Sequence, residues 1–327
     1  MSVYVVNDLH GNARLVDRIV CAICKMAAGD ILIINGDGAG SRGPRMNKIV
    51  KIFYEVRRGE ADLECLISAL AEIIGERPSA SEIGPWVSQA VHAGVFRAVL
   101  ARRYEAFAKC VEEEILTALD ETLVPLSEAA SSKGVRVFYS PGNCEIVPAD
   151  FSVDDITTEK TLPPEERFYQ RLAKQGYFDK YGIEYVPYAC KIPGFGIISS
   201  NLLDLPWAEC EAKLRECGLL GTKMSSRTPL IVHYPPDTEP LERYFGFWKP
   251  NDVDKARVRA LQRILGAMKF ERASIFFGHI HLAPDDPRMG SFPPTWGYKI
   301  VDYYGGDSMV DYYGIWIKPG SVIRVSF

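Results

Sequence analysis

Five short segments crowd Asp, His and Asn side chains together: Asn7-Asp8-Leu9-His10-Gly11-Asn12, Asn35-Gly36-Asp37-Gly38, Gly142-Asn143-Cys144-Glu145, His233-Tyr234-Pro235 and Gly278-His279-Ile280-His281. Carboxylates and an amide oxygen suit hard cations, and imidazole suits manganese, iron, zinc, nickel or cobalt, so the mixture points to metal chemistry tolerant of several ions. The chain has only five histidines, and His10, His233, His279 and His281 all fall in these segments, leaving His92 elsewhere.

Each segment follows a short apolar run, SVYVV, DILII, VRVFY, PLIV or SIFF, directly in four cases and after Ser140-Pro141 in the third. Runs rich in Val, Ile and Phe without strict alternation are what strands covered on both faces look like, and FGIIS, YGIWI and SVIRV are of the same kind. Five strands therefore deliver Asp, Asn and His at their carboxyl ends, the edge at which α/β sheets bind ligands. Helical segments separate the early strands, which places the chain in the α/β class.

Residues 41–132 differ in character. NKIVKIFYEVRR puts Ile49, Ile52, Phe53 and Val56 on one helical face, ECLISALAEIIGE follows, and residues 86 to 130 read as a further long helical stretch. The expectation is a single domain over 1–327 with 41–132 inserted as a helical block that folds as a cap. Its basic run, Arg42, Arg45, Lys48, Lys51, Arg57 and Arg58, reads as a solvated helix face, and His92, beside an apolar helical stripe, as a packed or surface histidine.

With 47% hydrophobic and 24% charged residues, the 327-residue chain has the composition of a globular protein with a substantial core. A net charge of −4 exerts no global pull on nucleic acid or anionic lipid, so a nucleic-acid partner is disfavoured rather than excluded, and no membrane partner is expected. The start MSVYVVNDLHGN lacks the features of a signal peptide, no apolar stretch is long enough to span a bilayer, and eight scattered cysteines suit a reducing cytosol. Cytoplasmic location is the expectation. Cys21 and Cys24 form a CxxC inside an amphipathic helix with no second ligand pair nearby, which reads as buried apolar cysteine.

Taken in order, the five blocks resemble the calcineurin-like metallophosphoesterases, whose pattern is DxH, GD, GNH followed by an acid, a lone His, and GHxH. The resemblance spans residues 8 to 281. It implies a four-layer α/β/β/α sandwich of two mixed sheets with the metals at one edge. It further implies that Asp8, His10, Asp37 and His281 bind one ion and Asp37, Asn143, His233 and His279 a second, with Asp37 bridging. The implied cofactors are two divalent cations, manganese first, with iron, zinc, nickel, cobalt or magnesium as alternatives. Such enzymes attack a phosphate ester with a hydroxide held between the ions, which would make Asp37, Asn143 and His233 catalytic. NGDGAGSRGP resembles the family's GD followed by RGP, with Arg42 as a phosphate clamp one residue further from Asp37 than in the phosphoprotein phosphatases, and Asn12 within reach of a bound phosphate. KPGSV resembles a terminal NPGSV with Lys318 in place of asparagine.

Cys144 is the departure. The histidine expected there would help to protonate the leaving group, whereas a thiol has a reference pKa near 8.5 and is a poor hydrogen-bond donor. GNC followed by an acid resembles a branch of small phosphodiesterases. The resulting reading is a metal-dependent phosphodiesterase acting on a small phosphate ester, with a phosphomonoesterase or protein phosphatase as the alternative. A nuclease, and a non-catalytic scaffold on the same fold, are the remaining readings.

Overall fold

In the computed structural model the described residues are 1–39, 43–152, 156, 160–221, 228–238, 252–270, 275–279, 299–302, 308–311, 314–317 and 322–326. They form twelve strands in two six-stranded mixed sheets, together with ten α-helices. The chain divides into two compact units: Met1–Ala39, Glu121–Cys144 and Leu172–Phe327 in the first, Gly40–Asp120 and Glu145–Arg171 in the second.

The first unit holds both sheets. Strands β1 (Val3–Val6), β2 (Ile31–Asn35), β3 (Arg136–Ser140) and β4 (Ile183–Tyr185) run parallel, and the sheet order is β4-β3-β2-β1-β12-β9, with β12 (Ile323–Ser326) and β9 (Lys299–Asp302) antiparallel at one side. The second sheet runs β10-β11-β8-β7-β6-β5. Its members are β5 (Ala189–Ile192), β6 (Phe195–Ile198), β7 (Leu230–Val232), β8 (Ile275–Phe277), β10 (Ser308–Asp311) and β11 (Gly314–Ile317). All eight strands expected from apolar runs are present.

The alternation hidden in those runs is a division between two cores rather than between core and solvent. Val3, Val5, Ile31, Ile33, Phe138 and Ile323 of the first sheet share one cluster with Phe195, Ile197, Ile231 and Phe276 of the second, so the sheets pack face to face. On the other side of the second sheet, Ile198, Leu230, Val232, Ile275 and Phe277 pack on residues of helices α8 (Ser200–Leu203), α9 (Trp207–Glu216) and α10 (Asp252–Met268). Tyr4, Val6, Leu32, Ile34, Val137 and Tyr139, on the outer face of the first sheet, are buried as well, as a covering layer there requires. Each such Val, Ile or Phe contributes roughly 1.5–3 kcal/mol by leaving water. The architecture is a two-sheet α/β sandwich, and neither sheet closes into a barrel among the described strands.

Two asparagines tie the sheets together at their carboxyl edges. Asn35 Nδ2 donates to the Val232 carbonyl at 2.6 Å, and Asn7 Nδ2 to the Phe277 carbonyl at 3.4 Å. Helix α1 (Ala13–Ile23) buries Val16, Ile19, Ala22 and Ile23, which turns Cys21 away from the buried stripe and leaves Cys24 at the C-cap. Both cysteines are exposed, correcting the buried reading.

The second unit contains α2 (Pro44–Arg57), α3 (Leu63–Ile74), α4 (Ala80–Gln89), α5 (Ala93–Arg103), the first part of α6 (Glu105–Lys133), and α7 (Phe168–Lys174) as far as Arg171. The stretch expected as one long helix is broken at 90–92 and at Tyr104. Helix α2 buries Met46, Ile49, Val50 and Phe53, so its inward face lies about one turn nearer the N-terminus than Ile49, Ile52, Phe53 and Val56 suggested. Gly43 at its N-cap has no side chain to offer; Glu114 takes that role, accepting the N–H groups of Arg45 and Met46 at 2.8 and 3.1 Å. A Cβ at Gly43 would come within 2.6 Å of the Glu114 carboxylate. The described part of the basic run is paired: Arg45 meets Glu114 at 3.1 Å, Lys48 Glu72 at 2.7 Å, Lys51 Glu55 at 3.8 Å and Arg58 Glu60 at 2.7 Å, while Arg57 donates to the Ala90 carbonyl. No described helix is long and apolar enough to cross a membrane.

Candidate metal centre

The loops that leave β1, β2, β3, β7 and β8 converge within the first unit. Among the described residues, five non-glycines have positive φ, and four of them are Asp8 (56°), His10 (48°), Asp37 (52°) and His279 (70°). Left-handed backbone at such residues costs on the order of 1–3 kcal/mol each and persists only where the surroundings over-determine it. Here the loops are laced together: Asp8 N–H donates to the Gly36 carbonyl at 3.2 Å, His10 N–H to Asp37 at 2.7 Å, and Gly11 N–H to Gly38 at 2.9 Å. Gly278 N–H donates to the His233 carbonyl at 3.0 Å.

Glycines let these loops close to contact distance. A Cβ on Gly36 would stand 2.3 Å from His233 Nδ1, on Gly142 2.4 Å from Asp37 Oδ1, and on Gly278 2.7 Å from Asp8 Oδ2.

Asp37 is the hub, and it is buried. Its Oδ1 accepts the Cys144 N–H at 2.8 Å, while Oδ2 faces His233 Nε2 at 3.5 Å and His10 Nε2 at 3.8 Å. Burial by itself pushes this carboxyl up, but the facing His233 imidazole, with His10 and the Cys144 N–H, outweighs it and holds the group well below the usual carboxylate range.

His233 is wholly buried and oriented from behind. Its Nδ1 lies 3.2 Å from the Asn35 carbonyl, which can only accept, so that nitrogen is held by donating backwards and Nε2 faces inward. That nitrogen sits 2.8 Å from Asn143 Oδ1, and the same oxygen is 2.7 Å from His279 Nδ1. Imidazole nitrogens, an amide oxygen and carboxylate oxygens are thus brought together, a donor set that suits a divalent cation. Two groups of potential ligand atoms, each within 4.8 Å of one another, result: Asp37, His233 and His279, and His10, Asp37 and Cys144. The donors fit a divalent metal ion.

Asp37 belongs to both groups, and Asn143 touches both imidazoles of the first. Asp8 is buried beside them, its Oδ2 accepting the His279 N–H at 3.1 Å, but it enters neither group. Asn12 is the N-cap of α1: its Oδ1 accepts from Arg14 and Leu15 N–H at 3.1 and 3.4 Å, which commits that oxygen to the helix. His92 caps α5 in the same way, Nδ1 accepting from Gly94 N–H at 2.9 Å. Arg42, His281 and Lys318 lie outside the described residues.

A polar network that the motif pattern did not reveal stands behind the histidines. Arg257 of α10 grips Asp204 with two bonds of 2.7 Å and donates to Tyr234 Oη at 2.7 Å, and Tyr234 donates to Asp254 Oδ1 at 2.9 Å. The Tyr234 ring lies 4.4 Å from that of His279, whose Nε2 is 4.0 Å from Asp254. Burial pushes the Asp254 carboxyl up, against the pull of Arg257 and the Tyr234 hydroxyl. Only the i,i+3 spacing of Asp254 and Arg257 on one helix hinted at a shared face.

No family model matches the chain, and no curated protein matches it. Among solved structures, the phosphopantetheinyl hydrolase of Mycobacterium tuberculosis is similar over 97% of this chain and 88% of its own, at 10% identity and a TM-score of 0.31. Another solved chain is similar over 98% and 90%, at 15% identity and a TM-score of 0.42. Likenesses this distant carry no functional argument, which rests on the chain's own residues.

Proposed function

We propose that this protein is a metal-dependent phosphoesterase of the calcineurin-like type, with a preference for phosphodiesters. The observation that carries the reading is the sharing of Asp37 between two groups of ligand atoms, with Asn143 Oδ1 held between His233 and His279. Divalent cations bound there would acidify a water molecule and neutralise charge on phosphate oxygens. The chain's own residues supply the rest: the Asn35 carbonyl holds the His233 ring from its Nδ1 side, Cys144 N–H orients Asp37, and the glycines admit the loops to contact. Asp8, His10 and His281 complete the ligand set in this reading, and Arg42 with Asn12 Nδ2 would face the substrate phosphate.

The preference for diesters follows from Cys144. A thiol beside Asp37 is a weak proton donor, and losing one acid–base contribution costs about 100- to 10,000-fold, so esters whose leaving groups need little protonation are favoured.

The test is a hydrolysis screen of generic diesters and monoesters with Mn, Fe, Ni, Co, Zn and Mg, run beside Asp37→Ala and His279→Ala. The expected result is diester hydrolysis that both substitutions abolish. Activity confined to monoesters would replace the diester reading with a phosphomonoesterase. Stoichiometric metal without any hydrolysis would leave a binding scaffold.

A further inference from the structure

The position at which the resemblance expects a proton-donating histidine places a sulfur among metal-ligand atoms. One ligand atom from each of His10, Asp37 and Cys144 lies within 4.8 Å of the other two. We propose that Cys144 is itself a metal ligand, forming with His10 and Asp37 a sulfur-bearing site that shares its carboxylate with the Asp37, His233 and His279 group. The inference rests on the metal-dependent reading above and deepens it by naming the class of ion that one half of the centre selects.

Three features aim the cysteine. Its N–H is fixed to Asp37 Oδ1 at 2.8 Å, which anchors residue 144 beside the shared carboxylate. Its Sγ accepts from Asn143 Nδ2 at 3.7 Å, so the sulfur presents electron density, as a thiolate ligand must. Its place in the loop is guarded by Gly142, where a Cβ would meet both Asp37 and His233.

Reach is sufficient. A tetrahedral ion with bonds of about 2.0 to 2.3 Å holds its ligand atoms on the order of 3.5 Å apart, so atoms within 4.8 Å of one another need close by only about 1 Å. Ordinary side-chain torsion covers that distance. On binding, the thiol gives its proton to solvent and the sulfur lone pair forms the metal bond.

The two halves of the centre then differ in both access and softness. His233 and His279 are 0% and 7% exposed in their side chains, whereas His10 is 31% exposed and Cys144 is half-buried. Thiolate favours zinc-like ions over manganese and magnesium, whereas an imidazole and carboxylate set is more permissive. A soft ion at the outer site and a less discriminating inner one follow.

Cobalt(II) titration of the metal-free full chain tests this, because thiolate–cobalt bonds give a near-ultraviolet charge-transfer band independent of turnover. The expected result is a band that saturates in the wild type and is absent from Cys144→Ser, while Cys144→Ser keeps the visible cobalt bands of the Asp37, His233 and His279 group. Zinc affinity relative to manganese should also fall by about 10-fold or more in Cys144→Ser. Cobalt bound by the wild type without the near-ultraviolet band would overturn the ligand role and leave the metal-dependent reading standing. A band that persists in Cys144→Ser, arising from the exposed Cys21 and Cys24, would overturn it too. No cobalt bound by the wild type, or equal binding by Asp37→Ala, would overturn both readings.

Discussion

Gly142→Ala puts a single methyl group into the candidate centre. Its Cβ would stand 2.4 Å from Asp37 Oδ1, about 1 Å short of ordinary contact, and 2.9 Å from both the Asp37 nitrogen and His233 Cε1. Rotating the carboxylate aside does not relieve the clash, because the Asp37 backbone is also in the way. Something in the ligand loops must shift by a large fraction of an ångström, and displacement of metal ligands on that scale costs roughly 10- to 100-fold in metal affinity. A metal supplied at 100 times its dissociation constant stabilises the folded protein by about 2.7 kcal/mol, and a 100-fold weaker site at the same concentration by only about 0.4 kcal/mol. At roughly 2–4 °C per kcal/mol for a protein of this size, a metal-induced rise in melting temperature of about 5–10 °C should shrink to about 1 °C.

The assay is thermal unfolding with and without added divalent metal, so that any general destabilisation cancels in the difference. Gly266→Ala in α10 is the control, since its Cβ would meet nothing within 4 Å; the metal-induced rise should be unchanged and stability should increase by about 0.5–1 kcal/mol. A full metal-induced rise in Gly142→Ala would refute the claim that the closeness of the Asp37 and Gly142 loops builds the centre.

Arg257→Met should destabilise the first unit by about 3–5 kcal/mol, because Arg257 is 3% exposed and its loss removes both 2.7 Å bonds to the Asp204 carboxylate; chemical denaturation measures it, and a cost below about 1 kcal/mol would show the network to be dispensable. Burial lifts the Asp150 carboxyl to about 6 despite the Val147 and Phe168 N–H groups it accepts. A raised folded value means stability is fully present below the unfolded value near 3.8 and is lost as pH climbs through about 6, on the order of 3 kcal/mol in all. Asp150→Asn should flatten that pH dependence in the hydrogen-exchange protection of residues 145–152, and an unaltered slope would count against it. In native alkylation mapped by mass spectrometry, exposed Cys21, Cys24 and Cys65 should react, while Cys110 and Cys210, buried and with their thiols pushed up (Cys210 to about 11), stay protected.

How far the sequence could be read depended on what each segment packs against. The central strands were legible because both faces are buried, so VYVV and ILIIN are apolar throughout. Strands β4 (IEY) and β5 (ACKI) carry a charge and half-exposed residues at sheet edges, and nothing in their pattern separates them from loop. In α2, two stripes contain both Ile49 and Phe53, and periodicity cannot choose between them; the choice is made by tertiary contacts such as the stacking of Phe53 on Phe96 at 4.8 Å. The residues of the candidate centre stood out for a different reason: they lie at strand ends, where the fold sets position, and their types are those that suit metal binding. Asp204 and Arg257 meet only through the packing of α8 and α10, so their bond has no signature in sequence. Cys144 shows most clearly where pattern reading stops. Compared with a motif it is a missing histidine, and only the placement of its sulfur beside Asp37 and His10 turns the same residue into a donor that could choose the metal.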